Sequence, residues 1–115
     1  MAVDSSMLLL IKSSVLGDGE PVLGKKLMRA FLTQLLESGT VPARIICMNT
    51  GIFLTTEGSS VQDLMEQFES RGCEILSCGT CLEYYKRTDR LVAGNPTNMR
   101  DTVQALLNFP KILQP

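Results

Sequence analysis

The sequence predicts an α/β domain of three layers, a mainly parallel sheet of about five strands with helices on both faces. Three observations carry that expectation. Short runs that are apolar almost throughout, such as MLLLIKS at 7–13 and ARIICMN at 43–49, read as strands buried on both sides. Longer segments with apolar residues at helical spacing alternate with them, and parallel strands need such crossovers. The 115 residues, 44% hydrophobic, make one domain, 1–115, long enough to bury roughly two-thirds of its unfolded surface.

The elements follow in order. The run at 7–13 stops at SSVLGDGEP, whose Gly and Asp residues suit either a plain turn or a lid over that edge of the sheet. Pro21 opens the next element. From Leu23 to Glu37 the apolar residues Leu23, Leu27, Met28, Ala30, Phe31, Leu32, Leu35 and Leu36 cover an arc of roughly 240°, against the ~100° stripe of a helix lying on one sheet. The surplus predicts a homo-oligomer, most simply a dimer or trimer, with residues such as Met28 and Leu32 out of water. Residues 43–49 form the second strand. Ser60 with Asp63 three residues later predicts a capping box, and the helix behind it puts Val61, Leu64, Met65 and Phe68 on one face before Gly72 ends it. CEILS at 73–77 is the third strand, CGTCLEYYKR begins a short helix, and residues 91–93 read as a brief fourth strand. Asn98 followed by Asp101 caps a last helix with Met99, Val103, Leu106 and Leu107 facing inward; Pro110 stops it, and KIL makes the final strand.

Composition excludes several function classes. A net charge of −1 leaves no basic stripe for nucleic acid, and the two tyrosines and four phenylalanines are not interleaved with arginines as a base-stacking platform requires. The apolar run before Lys12 is too short for a signal peptide or a membrane span, so a cytoplasmic protein is expected, with no membrane partner. Four cysteines in such a chain are not needed as staples, which points to metal binding or thiol chemistry. A structural zinc site needs four ligands; the chain has no histidine, and Cys73 belongs at the opposite edge of the sheet from Cys78 and Cys81. No metal and no cofactor are therefore expected. Cys47 and Cys73, placed in or beside apolar runs, read as small core residues.

In open parallel sheets the ligand site lies outside the carboxyl ends of the strands. The segments following successive strands are SSVLGDGE, NTGIFLTTEGS, CGTC and GNPTNM, all small, hydroxyl-bearing or rich in glycine. They bring Ser13, Ser14, Asn49, Gly51, Gly79, Thr80 and Asn98 to one rim as candidate binding residues. Cys78 and Cys81 sit inside that rim. A thiol reacts as the thiolate, which the amides at a helix N-terminus favour, so Cys78 is the expected nucleophile. Cys81, three residues on along the same helix face, is positioned to attack a disulfide or persulfide at Cys78. With no histidine as general base, acyl transfer of the Cys-His kind lacks its base, whereas sulfur transfer between thiols needs a thiolate and a leaving sulfur. Tyr84 and Tyr85 either pack the short helix against a neighbouring subunit or wall the thiol pocket.

The stretches EILSCGTCLEYY, LGKKLMRAFL, NTGIFLTTEGS and VAGNPTNMRDTV together resemble the DsrE/TusD group of sulfur-transfer proteins, and within it the DsrE-like domain of the YedF selenium-metabolism family. The resemblance runs from about residue 7 to the end. It implies a Rossmann-like three-layer fold, oligomeric assembly, and a cysteine that carries sulfur as a persulfide, a position held here by Cys78. The chain departs from the YedF pattern in carrying no N-terminal TusA-like domain, so the implied sulfur donor or acceptor, such as a TusA-like protein, is expected as a separate polypeptide. It also carries CGTC where the carriers generally show one cysteine.

Three functions remain open on these residues. The first is a sulfur or selenium relay in which Cys78 accepts a persulfide and Cys81 assists its release. The second is a non-catalytic oligomeric binding module whose rim holds a small anion or a partner loop. The third is a thiol-disulfide oxidoreductase, for which CGTC has the motif length but lacks the flanking aromatic and proline signals of a thioredoxin.

Overall fold

A computed structural model describes residues 2–115, so that of the expected domain Met1 lies outside the described residues. Five strands, β1 (Ala2–Ile11), β2 (Thr40–Cys47), β3 (Glu74–Cys78), β4 (Asn95–Thr97) and β5 (Lys111–Leu113), form one sheet in the order β4-β3-β2-β1-β5. Every neighbouring pair is parallel. The crossovers are α1 (Pro21–Glu37), α2 (Gln62–Ser70), α3 (Gly79–Tyr84) and α4 (Met99–Asn108), with a 3-10 helix at Asn49–Leu54. The fold is a three-layer, Rossmann-like α/β arrangement, as the sequence predicts.

The order of the strands explains the layers. From β1 to β4 each step moves in one direction across the sheet, and right-handed crossovers then place α1, α2 and α3 on one face. The return from β4 to β5 runs the opposite way and puts α4 on the other. The apolar strands serve both faces by alternation: Leu9, Ile11, Ile45 and Ile75 join Met28, Leu32 and Phe68 in the larger cluster, while Leu8, Leu10 and Ile46 meet Ala105 on the α4 side. Among the described residues, no helix is long and apolar enough to cross a membrane.

Several expected boundaries move. β1 begins at Ala2 rather than at residue 7, because the polar segment before Met7 pairs with the start of β2 (Ala2 opposite Thr40, Asp4 opposite Pro42). The register shifts between Asp4 and Leu8, at the level of Pro42, which has no amide hydrogen for a ladder. The fourth strand is residues 95–97, not 91–93. The amides of Val92 and Ala93 both donate to the Thr55 carbonyl, at 2.8 and 3.3 Å, and Leu91 makes an isolated antiparallel bridge with Thr56. Gly94, at φ +73, then passes so close to the Ile75 carbonyl that a Cβ would collide with it, and the chain pairs with β3 beyond that point. Pro96 is tolerated in β4 because the strand lies at the sheet edge.

The capping box at Ser60 and Asp63 does not form. The Asp63 carboxylate pairs instead with Arg29 of α1 at 2.7 Å, and Arg29 also donates to the backbone carbonyl of Ser60 at 2.9 Å. The helix starts from Val61, whose amide bonds the Ser59 hydroxyl at 3.2 Å. On α4 the expected cap is present, the Asp101 amide donating to Asn98 Oδ1 at 2.8 Å, but the expected inward face is rotated. Thr102 and Ala105 are buried and Leu106 half-buried, whereas Met99, Val103 and Leu107 are exposed by 56%, 42% and 73%. Small residues let this helix approach the sheet closely, and Thr102 satisfies its hydroxyl on the Asn98 carbonyl at 2.9 Å. The wide apolar arc of α1 divides in the same way: Met28, Leu32 and Leu36 are buried within the chain, Phe31 and Leu35 half-buried, and Val22, Leu23 and Leu27 exposed.

Candidate functional site

The carboxyl ends of β1, β2 and β3 deliver residues 12–20, the 3-10 helix and α3 to one edge. Their mutual approach depends on two glycines that lack a Cβ where one would clash. Gly51 lies against the end of β1, where a Cβ would come within 2.5 Å of the Ile11 carbonyl oxygen, and Gly24 lets Val15 pack onto α1, where a Cβ would lie 2.8 Å away. Loop and 3-10 helix are joined by the Ser14 amide donating to the Thr50 hydroxyl at 3.2 Å.

Cys78 is the last residue of β3 and the N-cap of α3, 6% exposed. Its neighbour Gly79 fits beside the Thr97 carbonyl of β4, at 3.2 Å from a would-be Cβ. Cys81, one turn on, is partly exposed and lines an open cleft of about 380 Å³ with Asn49, Thr80, Tyr84 and Tyr85. The Asn49 amide donates to Cys81 Sγ at 3.0 Å. Asn49 can aim its amide this way because its φ is +53, a left-handed conformation that asparagine tolerates better than most residues. Burial pushes the Cys81 thiol up from its ordinary range, the Asn49 N–H pulls against it, and the adjacent Cys78 thiol adds to the upward push. The sequence led us to expect the amides of a helix N-terminus at Cys78; α3 has only six residues, and the donor present is the Asn49 amide at Cys81.

Behind the thiols the site is held by hydroxyls and aromatic rings. Ser77 and Thr55, both fully buried, share a 2.6 Å hydrogen bond, and Thr55 also donates to the Ile52 carbonyl at 3.1 Å. This ties β3, immediately before Cys78, to the end of the 3-10 helix. Phe53 and Tyr85 meet at 4.8 Å between ring centroids, Tyr84 stands edge-on to Tyr85 at 5.1 Å, and Arg87 lies over Phe53 at 4.6 Å. Arg87 also donates to the Thr56 hydroxyl at 3.1 Å and the Glu57 carbonyl at 2.8 Å.

Of the residues expected at the rim, Asn49 and Thr80 line the thiol cleft with Cys81. Gly51 and Gly79 act through close backbone approach. Ser14 acts through its amide, and the Ser13 hydroxyl accepts from the Val15 amide at 3.2 Å, a turn within the first loop. Asn98 spends its side chain on the α4 cap, both atoms engaging Asp101. Cys47 and Cys73 are buried on the α1 side as expected; burial pushes each thiol up to about 12, aided at Cys47 by Cys73 and at Cys73 by the charges of Glu69 and Glu74. Residues 17–20 are exposed. Phe53, Thr55, Ser77 and Arg87 were not foreseen. The run of hydroxyls in IFLTTEGSS was the visible signal for Thr55, but its pairing with Ser77 depends on the sheet.

No family model and no curated protein matches the chain. Solved structures do. The ychN protein from E. coli aligns over 97% of this chain and 100% of its own, with a TM-score of 0.69 at 16% identity. A protein of unknown function from Methanobacterium thermoautotrophicum aligns over the same shares with a TM-score of 0.70 at 14% identity. A conserved protein of unknown function from Bacteroides thetaiotaomicron covers 96% of this chain and 95% of its own, with a TM-score of 0.66 at 15% identity. At such identities the likeness is one of fold, over nearly the whole of each chain.

Proposed function

We propose that the chain is a sulfur relay protein, in which the Cys78–Cys81 pair accepts persulfide sulfur, or selenium, and hands it to a second protein. The observation that carries this is the pairing of a partly exposed thiol with a preformed backbone donor, Cys81 Sγ with the Asn49 amide at 3.0 Å, one turn from a second thiol. Thiol-to-thiol sulfur exchange requires a nucleophilic sulfur, a way to hold it as an anion, and a leaving sulfur; it requires no base, and no histidine exists to provide one. The resemblance in CGTCLEYY and its flanking segments names sulfur, and the fold shared with the solved structures is the one that resemblance implies.

The reading includes a reducing cytoplasm, consistent with four free cysteines, and a separate donor or acceptor polypeptide of TusA-like character. It also includes a homo-oligomer. Val22, Leu23 and Leu27 on α1 and Met99, Val103 and Leu107 on α4 form apolar stripes that one chain leaves in water. A monomeric mass by light scattering at micromolar concentration removes the oligomer. The relay is tested by incubating the purified chain with a cysteine desulfurase and cysteine labelled in its sulfur, then mapping label that dithiothreitol releases. Label is expected on Cys78 or Cys81 and absent from the Cys78→Ser/Cys81→Ser double variant; equal label in both proteins, or none in either, rejects the relay.

A further inference from the structure

The two thiols of the CGTC segment are not equivalent. Cys78 is 6% exposed and has no share in the walls of the 380 Å³ cleft; Cys81 opens into it between Tyr84, Tyr85 and Asn49. The donor amide is also at Cys81, and its position is built into the fold rather than left to a mobile side chain. The Met48 amide donates to the Ile11 carbonyl at 3.0 Å, the Gly51 amide to the Met48 carbonyl at 2.9 Å, and Gly51 abuts that same Ile11 carbonyl. Between these anchors Asn49 turns into its left-handed conformation and presents its N–H to the sulfur.

Resting on the relay reading, we propose an order for it: Cys81 is the thiol that receives sulfur, with the Asn49 amide as its positioning group, and Cys78 is the buried thiol to which that sulfur is passed. This reverses the roles that the sequence suggested. In the first step the Cys81 thiolate attacks the outer sulfur of a donor persulfide. A bond forms between Cys81 Sγ and that sulfur, the donor's S–S bond breaks, and its electron pair leaves on the donor thiolate, giving Cys81 persulfide. In the second step the Cys78 thiolate attacks the same outer sulfur, and Cys81 departs as a thiolate facing the Asn49 N–H. No oxidant or reductant is consumed, because sulfur at the same oxidation level moves between thiols. Burial at Cys78 then shields the persulfide from solvent reductants, and the exposed Tyr84 stands where a donor chain approaches.

The test uses glutathione persulfide labelled in its outer sulfur. Wild type is expected to end with label at Cys78, Cys78→Ser to hold it at Cys81, and Cys81→Ser to label Cys78 at least tenfold more slowly than wild type. Wild-type protein alkylated at Cys81 by limiting reagent should show the same slow labelling, which reads the order in a chain that has already folded. Cys78 labelled at the wild-type rate in Cys81→Ser or in the alkylated protein overturns the order while leaving the relay standing. Absence of label from every form overturns the relay itself. For Asn49, Gly51→Ala pushes the 3-10 helix off the Ile11 carbonyl, and the pH midpoint of Cys81 alkylation should rise by about one unit as the N–H withdraws. An unchanged midpoint with the variant folded overturns the role given to Asn49.

Discussion

The two faces of the sheet are built from the same strands and are covered very differently. On one, α1, α2, α3 and the 3-10 helix enclose most of the apolar core, with Met28, Leu32, Met65 and Phe68 at 2% exposure or less. On the other, α4 alone covers Leu8, Leu10 and Ile46, and beside it an open groove of about 490 Å³ remains, lined by Arg44, Glu74, Gln104 and Asn108 among others. The cause is topological, since three successive crossovers fall on one face and a single return falls on the other. The lesson is that the thiol cleft, with its 3-10 helix and α3, belongs to the crowded face. There the packing is dense enough to hold a backbone amide against a sulfur.

The contrast in packing can be broken by truncation. Phe68→Ala on the crowded face should cost about 3–5 kcal/mol, whereas Leu106→Ala on α4, half-buried against the sparse face, should cost about 1–2 kcal/mol. Urea unfolding measures both, and equal losses would mean that the α4 face carries as much of the core as its counterpart.

A second contrast is electrostatic. Cys47 and Cys73 are buried on the crowded face with thiols pushed up to about 12. In the unfolded chain they ionise near the ordinary cysteine value, so above about pH 9 the unfolded state binds fewer protons than the folded one and stability falls as pH rises. Each thiol contributes a slope of about 1.4 kcal/mol per pH unit between roughly pH 9 and 12. Below pH 9 neither contributes. Unfolding free energies measured from pH 9 to 11 should drop accordingly, and Cys47→Ala should remove about half of the slope; a slope unchanged in that variant contradicts the assignment.

How far the sequence disclosed this molecule differs between the same two faces. Strands at ILSC and IICM, the helix of α1 and the thiol pair at the end of β3 follow from runs and periodicities that short windows contain. The face of α4 does not. Its apolar residues Met99, Val103 and Leu107 have a regular helical spacing, yet the helix buries Thr102 and Ala105, because close approach to the sheet selects small residues and leaves the large ones outside. The site was legible as to its cysteines and its rim, but not as to the donor. Asn49 is legible as a rim residue; that it would present its backbone amide to Cys81, through a positive φ beside the packing of Gly51 against Ile11, is not. The capping box at Ser60 does not form for a similar reason, since Arg29, remote in sequence, takes the Asp63 carboxylate and the Ser60 backbone carbonyl while the helix starts one residue later.

The buried hydroxyl pair sharpens the account of the crowded face. Thr55→Val removes both the 2.6 Å bond to Ser77 and the bond to Ile52, leaving the Ser77 hydroxyl without its partner in a fully buried position. An unpaired buried polar group costs about 1–3 kcal/mol. Because this pair ties β3 to the 3-10 helix, the variant should also alkylate at Cys81 with an altered pH midpoint. Stability lost with the midpoint unmoved would separate the hydroxyl pair from the site.

The smallest effect is expected on the sparse face, at the start of α4. Asn98 is a rim residue whose side chain is engaged by local structure: Oδ1 accepts from the Asp101 amide at 2.8 Å, and Nδ2 donates to the Asp101 carboxylate at 3.2 Å. Removing such a cap costs about 1 kcal/mol, since one otherwise orphaned amide of the first turn loses its acceptor. Asn98→Ala should therefore lower the urea midpoint slightly and leave sulfur labelling of Cys78 and Cys81 at the wild-type level. Asn98→Asp should recover only part of that loss: a carboxylate accepts the same amide bond and suits the helix start, but it stands against the Asp101 carboxylate where Nδ2 had donated. If Asn98→Ala instead abolishes labelling while unfolding at the wild-type midpoint, Asn98 belongs to the thiol site and the sparse face takes part in the chemistry.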